Sequence, residues 1–427
     1  MPTGTASVVV VEWIRLYIRI KCRANTQNAM KFLRMIAGVM TALMMMSCGD
    51  EPAEKETVDP DGGEETIDNV EITVPLRFEH PGILHTQADL NHLKEIANDP
   101  SHPGYKCYEQ FAADSHSKAD YALQGPFESL YRGSADGKLS IQGKYESDFN
   151  ASFQNAVMWT VTGDESHAVK AAEILKAYAR KVTTINDDVL LAGIMGVKFV
   201  YAAEVMTHTY AQGFTNEEIK AIKNMFEKIF LPVLNNFMYT PAYSNGNWGA
   251  SVCMSKAAIG IFLDNQSAYR AALNFFLTGK DNGTLRNYIS NKTGQCQESG
   301  RDQAHTQLGL SCLAVTCELA YKQGMDLYKV DNNRLMRGLE YTARYNNGYE
   351  VPFETWTDLT GKYCNWTVIS DKERGKLRPV WYMPYNHYVN RKGLSMPETG
   401  ELLEQKLNPE TYYYEHFGFG QFLFNDK

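Results

Sequence analysis

The sequence has no apolar run near the roughly 20 residues that a membrane-spanning helix needs, no Cys-x-x-Cys pair, and no Cys/His spacing suited to a metal. It has no strict internal period, which disfavours a simple repeat array. Strand-like and helix-like segments do not alternate regularly, which argues against a parallel α/β sheet. An excess of basic charge is also missing. The 42 Lys+Arg stand against 50 Asp+Glu, and a net −8 argues against nucleic-acid binding by bulk electrostatics. What the chain does have is apolar and aromatic mass: 44% hydrophobic residues and 25 Tyr in 427, enough to bury a sizeable core and to exclude a wholly disordered protein. Cys107, Cys253, Cys296, Cys312, Cys317 and Cys364 are scattered through that mass. Disulfides are permitted outside the cytoplasm, but a large chain does not need them, and these six read as buried thiols.

The charge is unevenly distributed. Residues 1–47 carry +5 and residues 48–72 carry −9, so subtracting both from −8 leaves −4 for residues 73–427. The body is nearly neutral, and most of the acidity belongs to a short stretch. Lys31 and Arg34 precede the apolar run Met35–Met46, which ends at Ser47-Cys48. A basic start, about a dozen apolar residues and a small residue at the end make a secretory signal over 30–47, too short to span a bilayer. The Cys at its end resembles a bacterial lipoprotein lipobox, with Met45 where Leu is usual. The resemblance implies lipidation at Cys48, contact with a membrane only through that anchor, and a place in the cell envelope of a Gram-negative bacterium. There it would be tied to the outer membrane, facing the periplasm or the cell surface. Residues 1–29 then read as a start assigned too early. Residues 48–75, acidic and poor in large apolar side chains, read as a flexible tether, and 76–427 as one catalytic body.

That body reads as helical throughout. Thr86-Gln-Ala-Asp89 and Thr215-Asn-Glu-Glu218 open helices as capping boxes. Periodic apolar positions predict further helices over 148–161, 164–182, 250–263, 268–277, 303–321 and 334–345, with 278–300 and 322–332 as connections. Helical hairpins in series over some 350 residues must bury their inner faces together. The fold class expected is therefore all-α: an α/α toroid, an incomplete barrel of helical hairpins, preceded by a disordered N-terminal tether. The Trp-, Tyr- and Pro-rich stretch after Gly348 reads as irregular or strand structure capping one end.

Three segments place polar groups beside aromatics. Tyr243-Ser-Asn245-Gly-Asn247-Trp248 precedes an Ala/Ser-rich helix. It reads either as a cap with a core Trp or as a fixed loop whose Asn amide donates to an anionic ligand. Glu298-Ser-Gly-Arg301-Asp302-Gln303-Ala-His305 crowds an Arg, whose fork matches a carboxylate, against a His, which accepts protons near neutrality. Arg301 and His305 share a helix face if the helix has begun by Arg301. The third segment, Arg378–Arg391, holds Tyr385, His387 and Tyr388; Tyr rings suit sugar clefts because the face is apolar and the tip polar.

These segments, with the opening His80-Pro-Gly-Ile-Leu-His85, resemble the alginate-lyase superfamily of polysaccharide lyases over about residues 78–395. The resemblance implies a helical toroid and cleavage of a uronic-acid polysaccharide, of alginate or glucuronan type, by β-elimination. The pattern departs from the best-known members in having no His in the Asn245–Asn247 loop and no Tyr one to two turns after Arg301. The C5 proton of a uronate is weakly acidic, so the site must stabilise an enolate-like dianion. The roles expected are His305 as base, Arg301 and Asn247 as stabilisers, and Tyr385 as donor to the leaving oxygen, with Tyr388 and Tyr243 as alternatives. Asn245, Trp248, Tyr243, Glu298, Gln303, His387 and Tyr388 are expected to bind substrate, an acidic polysaccharide. No cofactor and no metal is required, and the oligomeric state is left open. The alternatives are a glycoside hydrolase, which needs a second carboxylate such as Asp148 opposite Glu298 or Asp302, and a non-catalytic glycan-binding surface lipoprotein.

Overall fold

The computed structural model describes residues 67–134, 140–238, 245–362 and 365–426. Cys48, Cys364 and Tyr243 lie outside the described residues, as do residues 1–47 and most of the acidic stretch. The described residues fold as one unit. Its helices in chain order are α1 (Gln87–Asn98), α2 (Tyr105–Ala113), α3 (Gln142–Thr162), α4 (Glu165–Lys181), α5 (Gly196–Thr209), α6 (Asn216–Met225), α7 (Leu231–Met238) and α8 (Gly246–Phe262). They continue with α9 (Gln266–Thr278), α10 (Leu285–Tyr288), α11 (Gln303–Lys322), α12 (Val330–Asn347), α13 (Tyr382–Tyr385), α14 (Pro397–Gln405) and α15 (Gly420–Leu423). Among the described residues there are no strands, only two isolated bridges. The stretch after Gly348 is therefore irregular chain with short helices.

The sequence explains which helices lie inside. In α4 and α9 only one face is buried: Ala168, Ala171, Leu175 and Tyr178 in the first, Ala268, Ala272, Leu273 and Phe276 in the second. In α3, α5, α8 and α11 most residues are buried and on every face, polar ones included. A helix apolar on one stripe belongs on the surface, and one buried all round belongs in the centre. The contacts follow this rule. α3 packs on α5, α5 on α8 and α8 on α11, while α4, α9 and α12 flank the inner ring and α6 packs on α4. This is the α/α toroid. α13, α15 and α1 continue from α11 back towards α3.

Both capping boxes form, at Thr86/Asp89 and Thr215/Glu218. α12 is nominally longer than expected, but Asp331–Asn333 adopt left-handed backbone angles, so regular helix starts near the expected Arg334. No described helix is long and apolar enough to cross a membrane. The five described thiols, Cys107, Cys253, Cys296, Cys312 and Cys317, are free and buried.

One boundary needs correction. Residues 67–75, read as the end of the solvated tether, run along the body instead. Ile72 is buried, and its carbonyl accepts from Arg270 (3.2 Å). Asp68 and Asp331 exchange bonds, each accepting the other's backbone N–H (2.9 and 2.6 Å). Arg286 reaches both the Asp68 carbonyl and the Asp331 carboxylate. Net charge alone could not reveal that Val70, Ile72 and Val74 have an apolar surface to rest on.

Candidate active site

The site forms where α8 and α11 begin. Tyr288 is fully buried between them, and its hydroxyl donates to the carbonyls of His305 and Thr306 (3.1 Å each). Glycine is required on both sides of this ring. A Cβ on Gly246 would lie 2.4 Å from Tyr288 Cδ2, and one on Gly309 would lie 2.1 Å from the Tyr288 hydroxyl. The close approach brings the Asn245–Asn247 turn onto the segment before α11, where the Gly246 N–H donates to Gln297 Oε1 (3.0 Å).

Asn245 occupies the N-cap of α8, but its side chain does not cap the helix. The cap reading therefore does not hold for the amide. Asn247 follows in the first turn, almost wholly buried, and Trp248 is half-buried against Phe237. Among the described residues, Asn247 Oδ1, Gln297 Nε2 and Glu298 Oε1 are buried without a hydrogen-bond partner. Each such atom is open to a water or a ligand.

Arg301 precedes α11 rather than sitting in it, because Asp302 is the N-cap with extended backbone. Arg301 and His305 therefore do not share a helix face as the spacing suggested. A turn brings them together: the Arg301 and Asp302 N–H groups both bond the Glu298 carbonyl (2.8 and 3.3 Å). Arg301 Nη1 lies 3.3 Å from Glu298 Oε2. Glu298 is fully buried, and burial pushes its carboxyl up to about 7 against the opposing pull of Arg301 and His305. Asp302 serves two purposes: Oδ1 caps the His305 N–H (2.8 Å), and both oxygens lie 2.8 Å from His305 Nδ1. Burial would raise the Asp302 carboxyl, but its bonds to His305 outweigh this and hold it well below the usual carboxylate range. The carboxylate fixes the ring tautomer, with Nδ1–H donating and Nε2 left as the basic nitrogen. The side chains of His305 and Arg301 are 36% and 31% exposed, above a buried floor.

Other expectations fail. Gln303 is buried and braces the chain rather than facing a ligand: its amide donates to the Ser370 carbonyl (3.0 Å), and its oxygen accepts from Asn346 (3.0 Å). His387 is buried, stacked on Tyr328 at 3.9 Å between ring centres, with its pKa pushed down to about 4 chiefly by burial. Tyr388 is buried with its hydroxyl on the Tyr328 carbonyl (2.8 Å). Tyr385 borders a separate open groove against α14, with Glu401 and Glu404. These aromatics suited a sugar cleft by type, but they are core packing and an unrelated surface. Asp148, the hydrolase partner considered, accepts from Tyr121, Gln124, Gly125 and Tyr178 and is committed to holding that loop (2.6–2.9 Å).

The sequence reading passed over the segment Tyr413–His416. His416 Nδ1 meets Ser311 of α11 (3.1 Å), and Glu415 interacts electrostatically with His305, Arg378, Arg132 and Lys198. The Tyr413 and Tyr414 rings lie 4.8 Å apart, and burial, with Glu415 beside it, holds the Tyr414 phenol well above its usual value. Arg378 lies over the Tyr413 ring (4.5 Å). Below them, buried Lys198 bonds Asn150 and the Tyr414 carbonyl, its ammonium pushed down to about 7 by burial. The signal was available: Tyr412-Tyr413-Tyr414-Glu415-His416 is the densest aromatic and titratable cluster near the end of the chain.

A family model described as alginate lyase matches residues 110–353. Among solved structures, an alginate lyase from Bacteroides ovatus is similar with a TM-score of 0.59 at 13% identity, covering 82% of this chain and 100% of that one. Alginate lyase A1-III from Sphingomonas species A1 gives 0.56 at 12% identity, over 81% and 98%. A variant of A1-III complexed with tetrasaccharide gives 0.56 at 12%, over 82% and 98%. At such identities the structural likeness is one of fold. No curated protein matches by sequence.

Proposed function

Because the chain belongs to the alginate lyase family, matched over more than half its length, we propose that it is a polysaccharide lyase acting by β-elimination on a uronic-acid polymer of alginate or glucuronan type. The observation that carries this reading is the Asp302–His305 pair set beside Arg301 and a buried Glu298 carboxyl raised to about 7. A substrate uronate enters with its carboxylate towards Arg301, the Asn247 amide and protonated Glu298, which shares its proton and lowers the cost of the dianion. His305 Nε2 takes the C5 proton while Asp302 stabilises the imidazolium that forms. The C5–H electrons make the C4=C5 double bond, the C4–O4 bond breaks, and a tyrosine hydroxyl protonates the leaving oxygen. Tyr413 and Tyr414 replace Tyr385 as donors, since they stand on the segment whose Glu415 senses His305.

The test is ultraviolet absorbance of 4,5-unsaturated products during incubation with a panel of polyuronates. An absorbance rise with chain shortening supports elimination. Shortening without absorbance means hydrolysis, and binding without shortening means a glycan-capturing protein. The lipobox-like signal and acidic stretch support a lipid anchor at Cys48 on the Gram-negative outer membrane; fatty-acid labelling lost in Cys48→Ser and retained in Ser47→Ala tests it.

A further inference from the structure

Away from this site, the segment before α1 meets the end of α5. His80, Glu204 and His208 each offer a ligand atom within 4.8 Å of the other two. Glu204 is fully buried; Oε1 accepts from the Gly82 N–H (3.1 Å) and faces His80 Nδ1 (2.9 Å), while Oε2 is buried with no partner. The two imidazoles stack in parallel, ring centres 4.7 Å apart. Each histidine has its second nitrogen occupied: His80 Nε2 by Asp264 Oδ1 (3.1 Å), and His208 Nδ1 by the Glu204 carbonyl (2.8 Å). An ordinary His–carboxylate ion pair accounts for His80 and one oxygen of Glu204. It does not account for His208 or for the unpaired Oε2.

We propose that His80, Glu204 and His208 bind a zinc ion. Two nitrogens and one carboxylate oxygen are a usual zinc donor set, leaving a fourth position for water. Metal-bound histidines usually donate their other N–H to a carboxylate or a backbone carbonyl. Asp264 and the Glu204 carbonyl are those two partners. Zinc bonds of about 2.0–2.2 Å require the His208 ring to turn out of its parallel stack on His80 and to close by roughly an ångström, a movement open to an exposed side chain. The role is structural. Gly82, two residues from His80, is held through its carbonyl by Gln323 at the far end of α11 (2.7 Å). His305 lies at the start of that helix, roughly 27 Å away at ~1.5 Å per residue. Zinc would pin the entry of the chain to α5, and Asp264 would tie that pin to the turn between α8 and α9.

The experiment uses the full chain, stripped with chelator and titrated calorimetrically with zinc chloride. Cobalt is the spectroscopic substitute, and zinc-dependent thermal stability is followed alongside. The expected result is one zinc per chain, a tetrahedral cobalt spectrum and a higher Tm with zinc. Asp264→Asn should weaken binding about 10–100-fold. His208→Ala, a surface change that leaves the core intact, should abolish the cobalt spectrum and the zinc-dependent Tm gain. Absence of zinc binding by the unaltered chain overturns the proposal, and so does equal binding by folded His208→Ala, judged by unchanged circular dichroism.

Discussion

Replacing Glu298 by Gln tests the electrostatics of the site most directly. The carboxyl is raised from 4.5 to about 7 by burial, a difference on the order of 3 kcal/mol between its two protonation states. The sign follows from proton counting. Between 4.5 and about 7 the folded chain binds a proton there that the unfolded chain has released, so stability falls as pH rises through that interval and levels off above it. Glu298→Gln keeps a neutral donor of the same shape and cannot ionise. The variant should match the parent in stability near pH 4 and exceed it at pH 8 by up to ~3 kcal/mol, read from urea unfolding at both values. In catalysis, neutral Glu298 shares its proton with the substrate carboxylate, so the parent's rate should fall above about pH 7, approaching tenfold per pH unit as the carboxyl ionises. The Gln variant should keep substantial turnover and lose that alkaline limb. An unchanged alkaline limb in Glu298→Gln would refute the role in catalysis. Equal pH dependence of stability in the two chains would refute the burial argument itself.

His305→Ala should lower turnover by about 10²–10⁴-fold with an unchanged fold, while Asp302→Asn keeps the helix cap and lowers turnover; normal turnover in His305→Ala means the base is elsewhere. Phe in place of Tyr413 or Tyr414 should reduce kcat in at least one of the two variants, and Tyr385→Phe should leave it intact, as steady-state absorbance assays can show. Arg286→Met removes the main partner of buried Asp331, whose carboxyl is held below its usual value because the Arg286 bonds outweigh burial. It should cost about 3 kcal/mol in chemical unfolding near neutral pH. The stabilisation is present above the ordinary Asp value and lost as pH falls through the lowered one, so the difference between the two chains should shrink in acid.

The helical hairpins were legible because amphipathic spacing is local: Ala168, Ala171, Leu175 and Tyr178 repeat with the helix period whatever surrounds them. The caps at Thr86 and Thr215 were legible for the same reason, since a side chain three residues from the N–H it satisfies needs no tertiary partner. The Arg301–His305 stretch stood out as a concentration of charge at one helix start. The sequence could not say whether that start came before or after Arg301, because the extended backbone at Asp302 is held partly by the Gln303 N–H bonding Lys372, some 70 residues on.

Local pattern and motif order thus determined an all-helical body and the resemblance to a family, and marked out the Arg301–His305 half of the candidate site. Only the tertiary structure decided which polar residues stay beside the Arg301–His305 turn and which are taken up in the core. Gln303, His387 and Tyr388 have the chemistry for sugar binding yet spend it on buried partners, and Asp148 does the same with its carboxylate. Tyr413, Tyr414 and Glu415, more than a hundred residues from His305, are carried to it by the path of the chain around the ring. Side-chain type sets what a residue can do, but burial and neighbours set what it does, and both arise from contacts between segments distant in sequence.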